Sequence, residues 1–115
     1  MLVTVFVAAL AGGQLSAHHS YAAYDRNQMI EVVGILAEFK YVSPHSLLKV
    51  KADDGQLVTA EWLAASALKR SGIEPETLKS GDRVVLKGNP RYDFAESGVL
   101  NLKGSRRLSD DWTWP

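Results

Sequence analysis

The chain has 115 residues, with 13 Lys plus Arg against 13 Asp plus Glu and no cysteine. That length holds one modest hydrophobic core, and a formal net charge of zero gives no electrostatic footprint for nucleic acid and no lure for an anionic membrane. Without cysteine there is no thiolate metal site, no Cys nucleophile and no disulfide exchange, so any metal site must draw on His, carboxylate, backbone or a terminal amine.

Residues 2–15 are almost wholly apolar and small, with Val3, Val5, Phe6, Val7 and Leu10 among alanines. The run is shorter than the ~20 apolar residues that span a bilayer, and it fits the apolar region of a secretory signal. Gly12 and Gly13 break any helix, and Leu15-Ser16-Ala17 puts a small residue at the cleavage position. Residues 1–17 are therefore expected to be a signal peptide and residues 18–115 a single exported domain, periplasmic or secreted, with no stable membrane insertion after cleavage. A basic leading region is missing, and Ala11 offers another small-residue site. The competing reading is a buried N-terminal helix; the abrupt turn to polar residues at His18 favours the signal.

Residues 18–27 are polar and aromatic without a clear period. Met29 to Phe39 reads as a long strand, β-branched in its middle, with Gly34 suited to a bulge or bend. Ser43-Pro44-His45 interrupts it, because Pro cannot donate to a ladder. Leu47 to Lys51 alternates as a second strand, Asp53-Asp54-Gly55 is a hairpin turn, and Gln56 to Trp62 is a third strand. Ala64 to Arg70 has strong helix formers with Gly72 placed to cap it. Glu74 to Thr77 can start a further helical turn. Arg83 to Gly88 is a fourth strand ended by Asn89-Pro90. Val99 to Lys103 is a fifth, extendable to Leu108, and residues 110–115 form a polar-aromatic tail. Three strands, a helix and two strands predict an all-β fold, a small five-stranded barrel of the OB type. An open sheet capped by the helix is the alternative.

Several residues together carry a resemblance. They are His18-His19-Ser20 behind a signal, Tyr24-Asp25, a Val/Gly strand, Pro44-His45, Trp62 on the third strand, and Leu78-Lys79 with Gly81-Asp82 before the fourth. In order and spacing the chain resembles an uncharacterised family of small secreted bacterial proteins, a domain of unknown function. The resemblance spans essentially the whole mature chain. It departs from the family at Ser43, where Asn usually precedes the Pro-His pair, and at residues 92–98, which replace a different glycine-containing turn. The resemblance implies an exported OB-like domain and no established activity.

The three histidines carry the sharpest chemistry. Cleavage after Ala17 would give His18 a free α-amine, and amine and imidazole on one residue can chelate one ion. His19 or His45 adds another nitrogen. Such a nitrogen-rich set favours copper, with zinc or nickel behind it. With the amine near ~7.7–8.0 and imidazole near ~6.5, protons would compete below about pH 6. Cleavage one residue earlier leaves Ala17-His18-His19, with His at position three, which also suits Cu(II). Glu61 is a further candidate ligand beside His45, though a solvated strand carboxylate is the plainer reading. Tyr24, Tyr41, Tyr92 and Phe94 are candidates for a ligand groove, and Trp62 shares the parity of Val58 and Ala60 and is expected inside.

Catalysis finds little support. Ser43 lies near His45 in sequence, but no nucleophile elbow surrounds it. Asp53-Asp54-Gly55 lacks the spaced oxygens of a calcium loop. Arg91 and its aromatic neighbours could stack on a nucleic-acid strand, but the neutral charge argues against it. Three classes follow in order: an exported copper-binding module on His18, His19 and His45; a non-metal adaptor whose barrel loops recognise a partner protein or small ligand; and an enzyme last, since no convergent acid, base and nucleophile can be named.

Overall fold

The structure is a computed structural model and describes residues 21–115. The expected signal segment, with His18 and His19, lies outside the described residues. Six strands form: β1 Ile30–Lys40, β2 Leu47–Ala52, β3 Leu57–Glu61, β4 Arg83–Pro90, β5 Val99–Arg107 and β6 Thr113–Trp114. Two short helices accompany them, α1 Ala65–Arg70 and α2 Phe94–Ser97.

The long β1 serves two neighbours. Its first half pairs with β4, from Ile30 with Gly88 to Ile35 with Arg83, and its second half pairs with β2. Gly34 sits where the two pairings overlap, opposite both Ala52 and Val84. A Cβ there would collide with the Lys51 carbonyl and lie 2.7 Å from Val50 Cγ1, so only glycine lets the strand bend into both ladders. The irregularity in register falls slightly later, between Leu36 and Glu38. β2 pairs with β3, β4 with β5, and β3 runs parallel to β5 through Ala60 and Leu100. That last pairing closes five strands into a barrel of OB topology, with α1 between β3 and β4. The open-sheet alternative is excluded by the β3–β5 contact.

Period-2 alternation decides what enters the barrel. Leu48 and Val50 of β2, Val58 and Ala60 of β3, Leu86 of β4 and Leu100 of β5 point inward and are buried. Each large aliphatic side chain so buried contributes about 1.5–3 kcal/mol. Trp62 continues the inward parity, as expected, and is 3% exposed. The same alternation turns Lys49, Thr59 and Glu61 outward. At the foot of α1, Gly72 takes φ +79° and Ile73 N donates to Leu68 O at 2.9 Å, which closes the helix behind the buried Leu68.

Three expectations need correction. Asn89 and Pro90 belong to β4 rather than ending it. Pro90 has no N–H to give, but its carbonyl accepts from Asp25 N at 2.8 Å, and Asn89 Nδ2 donates to Gln28 O at 2.7 Å. The N-terminal segment thus pairs with the end of β4, an association invisible in local sequence. Glu74 to Thr77 forms a single turn, with Thr77 N donating to Glu74 O at 3.0 Å and Thr77 Oγ1 accepting from Glu74 N at 2.9 Å. Residues 94–97 form α2, closed by Gly98 at φ +64°, within the stretch 92–98 that replaces the family's glycine-containing turn. Finally, the aromatic tail is a strand: Trp114 pairs with Ser105, and its ring meets that of Trp62 edge-on, centroids 5.0 Å apart.

Candidate functional site

The β1–β2 loop carries His45, and its shape is set by the next residue. Ser46 is wholly buried. Its hydroxyl donates to Val42 O at 3.1 Å and accepts from Val42 N at 3.2 Å, which knots the loop. Ser46 N donates to Leu63 O, and Trp62 N donates to Ser46 O, which ties the knot to the end of β3. Leu47 pairs with Glu61. His45 is thereby held over the outward face of Glu61, with Nδ1 at 3.5 Å from Oε1.

The other Glu61 oxygen, Oε2, accepts a hydrogen bond from the Tyr24 hydroxyl. Tyr24 comes from the segment before β1, which pairs with Arg91 as a bridge and accepts Tyr92 N at Ala23 O. Tyr24 is 5% exposed. Burial raises its pKa well above the ordinary tyrosine value, and the hydrogen bond and negative charge of Glu61 raise it further. Tyr24 therefore stays protonated and donates to a carboxylate whose other oxygen is left facing His45.

Tyr21, Tyr24, His45, Glu61, Asn101 and Lys103 line one small pocket of about 160 Å³ on the outer face of the barrel. His45 and Glu61 are about one-third exposed at their side chains, so both can reach a ligand from solvent. Two ligand atoms each ~2.0–2.2 Å from one ion stand about 3 to 3.5 Å apart. The His45–Glu61 separation lies at that span. Among the described residues no group of three or more His, Cys, Asp or Glu side chains converges. The described residues thus supply two candidate metal ligands, and His18 and His19 lie outside them.

The four candidate groove aromatics separate. Tyr24 joins the His45 pocket. Tyr41 turns inward, donating to Ile73 O at 2.8 Å and packing edge-on against Phe39. Tyr92 and Phe94 line a different, larger cavity of about 750 Å³. Sequence reasoning missed two residues that build the site: Ser46, which orients the loop, and Tyr24 as the partner of Glu61 rather than a groove wall. A serine directly before a strand, two residues after a proline, is the faint signal for the first. Nothing local announces the second, because the partners are 37 residues apart.

The fold and this cluster define a small closed barrel of OB topology with a His–Glu–Tyr group on its outer face. No helix among the described residues is long and apolar enough to cross a membrane. The chain belongs to a family of unknown function, DUF6152, whose model matches residues 6–101. No curated protein matches the chain.

Proposed function

We propose that the protein is an exported binding module that takes a borderline divalent metal ion, copper before zinc or nickel, at the His45–Glu61 pocket. The observation that carries this reading is that His45, Glu61 and Tyr21 line one pocket. His19 is two residues and His18 three residues ahead of Tyr21. A residue spans at most ~3.6 Å, so both are tethered within about 11 Å of the Tyr21 backbone. Imidazole and carboxylate from the described residues would meet imidazole and, after processing at Ala17, the α-amine of His18. That donor set is of borderline softness, and divalent affinity within it rises to copper. Tyr24 would act from behind by holding Glu61 in one rotamer, as outer hydrogen bonds commonly do for metal-binding carboxylates. Processing and export belong to the proposal, since the α-amine exists only on the cleaved chain.

The test is calorimetric titration of the processed protein with Cu(II), alongside His45→Ala, Glu61→Gln and His18→Ala. Loss of one ligand should weaken binding at least tenfold in His45→Ala and His18→Ala, and less in Glu61→Gln. Unchanged affinity in His45→Ala would remove the pocket from the site. Unchanged affinity in all three would end the metal reading. A leading Met or tag blocks the amine, so mass spectrometry of the N-terminus accompanies the titration.

A further inference from the structure

A second cavity is larger than the histidine pocket. It opens between the start of β1, the β2–β3 hairpin and the β4–β5 loop, with a volume of about 750 Å³. That volume falls within the range of small-molecule sites, ~300–1,000 Å³. It shares no lining residue with the His45 pocket. Its floor is apolar, made by Ile30, Val32, Val58 and Phe94, with Val58 buried and Val32 nearly so.

The charges around this floor are one-sided. Asp25, Glu31, Asp53 and Asp54 line the cavity, with Arg91 the cation that lines it. Arg91 is already engaged: its Nε donates to Asp93 at 2.9 Å. Asp53 is held by the two terminal guanidinium nitrogens of Arg83, and Glu31 stands 3.7 Å from Lys87. Asp25 and Asp54 accept only neighbouring backbone N–H groups and have no cationic partner among the described residues. Tyr92 stands at the rim, 73% exposed, with its backbone fixed to Ala23 O. A solvent-facing phenol ring lining the same cavity as carboxylates without a cationic partner among the described residues attracts a cation through its π face as well as through charge. The ring and the carboxylates offer no complement to an anion.

We infer that this mouth binds a small organic cation, an amine carried on an apolar stem, with the stem on the Val58–Phe94 floor and the ammonium between Asp25, Asp54 and the Tyr92 ring. The apolar floor alone would take any hydrophobe; the unpaired carboxylates select the sign of the head group. Binding here is independent of the metal reading, because the two sites have no residue in common.

Titration of the ¹⁵N-labelled protein with 4-phenylbutylamine tests this, with 4-phenylbutyrate as the probe of the same stem and opposite charge. The amine should give saturable amide shifts at Val32, Ala52, Asp54 and Ala95, and the carboxylate should bind at least tenfold more weakly. Asp25→Asn combined with Asp54→Asn keeps the Oδ1 acceptors for the local backbone while removing the charge, and should weaken amine binding about tenfold. Tyr92→Ala, at an exposed ring, should weaken it severalfold with an unchanged spectrum elsewhere. Equal binding of amine and carboxylate, shifts confined to other surfaces, or no saturable shift with the amine would overturn the inference.

Discussion

Tyr24 donates its hydroxyl to Glu61 across 37 positions of sequence, joining the segment before β1 to the outer face of β3. The bond does two things at once. It pins the N-terminal segment to the closed barrel, and it fixes the carboxylate that faces His45.

Tyr24→Phe should therefore destabilise the protein by about 1.5–3 kcal/mol at neutral pH, the range for a hydrogen bond to a charged partner. The effect should also depend on pH. The folded-state pKa of Tyr24 is raised above the unfolded value of about 10. Its stabilisation is complete below pH 10 and declines as pH rises from there towards the raised value. Urea midpoints measured from pH 7 to 11 should fall at the alkaline end for the native chain and fall less for Tyr24→Phe.

Arg107 ties a second set of segments together. It donates to Thr77 O at 2.6 Å, pairs with Asp82 and Asp110, and stacks 5.8 Å from the Trp112 ring. The hydrogen bond from Arg107 holds the Asp110 carboxyl below its usual range, helped by Trp112 N. A depressed carboxyl stabilises the fold above its unfolded pKa and loses that contribution as pH falls below about 4. Arg107→Gln should cost about 1–2 kcal/mol at pH 7 through the lost Thr77 contact. It should also flatten the acid limb of the stability profile, read by thermal melts between pH 2 and 7.

The docking of β6 can be read by fluorescence. Trp62 is buried in the barrel, and Trp114 is the ring lying edge-on against it. Trp114→Ala should red-shift the emission of the remaining tryptophans and destabilise by about 1–3 kcal/mol, from lost area and the lost aromatic pair. An unchanged spectrum and midpoint would mean that the tail does not cover Trp62.

Gly34→Ala probes the bend that lets one strand serve two ladders. The added methyl meets the Lys51 carbonyl and Val50 side chain. A loss of about 1–3 kcal/mol is expected, as for other overpacked sites. Gly55→Ala is the control: φ is +88° but nothing lies within 4 Å, so its loss should be smaller and come from backbone strain alone.

Much of this fold was legible without coordinates, because its signals are local. β-branched runs, the Asp-Gly turn and Gly72 behind a helix-forming stretch place five strands and α1 to within a few residues. Trp62 was placed inside by parity. The features that escaped are those made by pairing with distant chain: Pro90 in a strand through Asp25, β6 through Ser105, and Tyr24 on Glu61. A proline or an aromatic tail reads as an ending when only its neighbours are considered. Among candidate site residues, His45 and Glu61 could be named from loop position and chemistry. Tyr41, Tyr92 and Phe94 could be named only as aromatics, and tertiary packing sent them to different places.

The amino-acid sequence by itself determined which segments extend, where they turn and which side chains face inward, since these follow from backbone preference and a two-residue period. Only the tertiary structure decided that the third and fifth strands meet. That closure brings Glu61 beside Asn101, while the pairing of β2 with β3 sets His45 within 3.5 Å of Glu61 and the segment before β1 lays Tyr24 over it. Barrel closure is a sum of weak, long-range pairings that no window of neighbouring residues contains, so the composition of the outer-face cluster emerges only when the chain has folded.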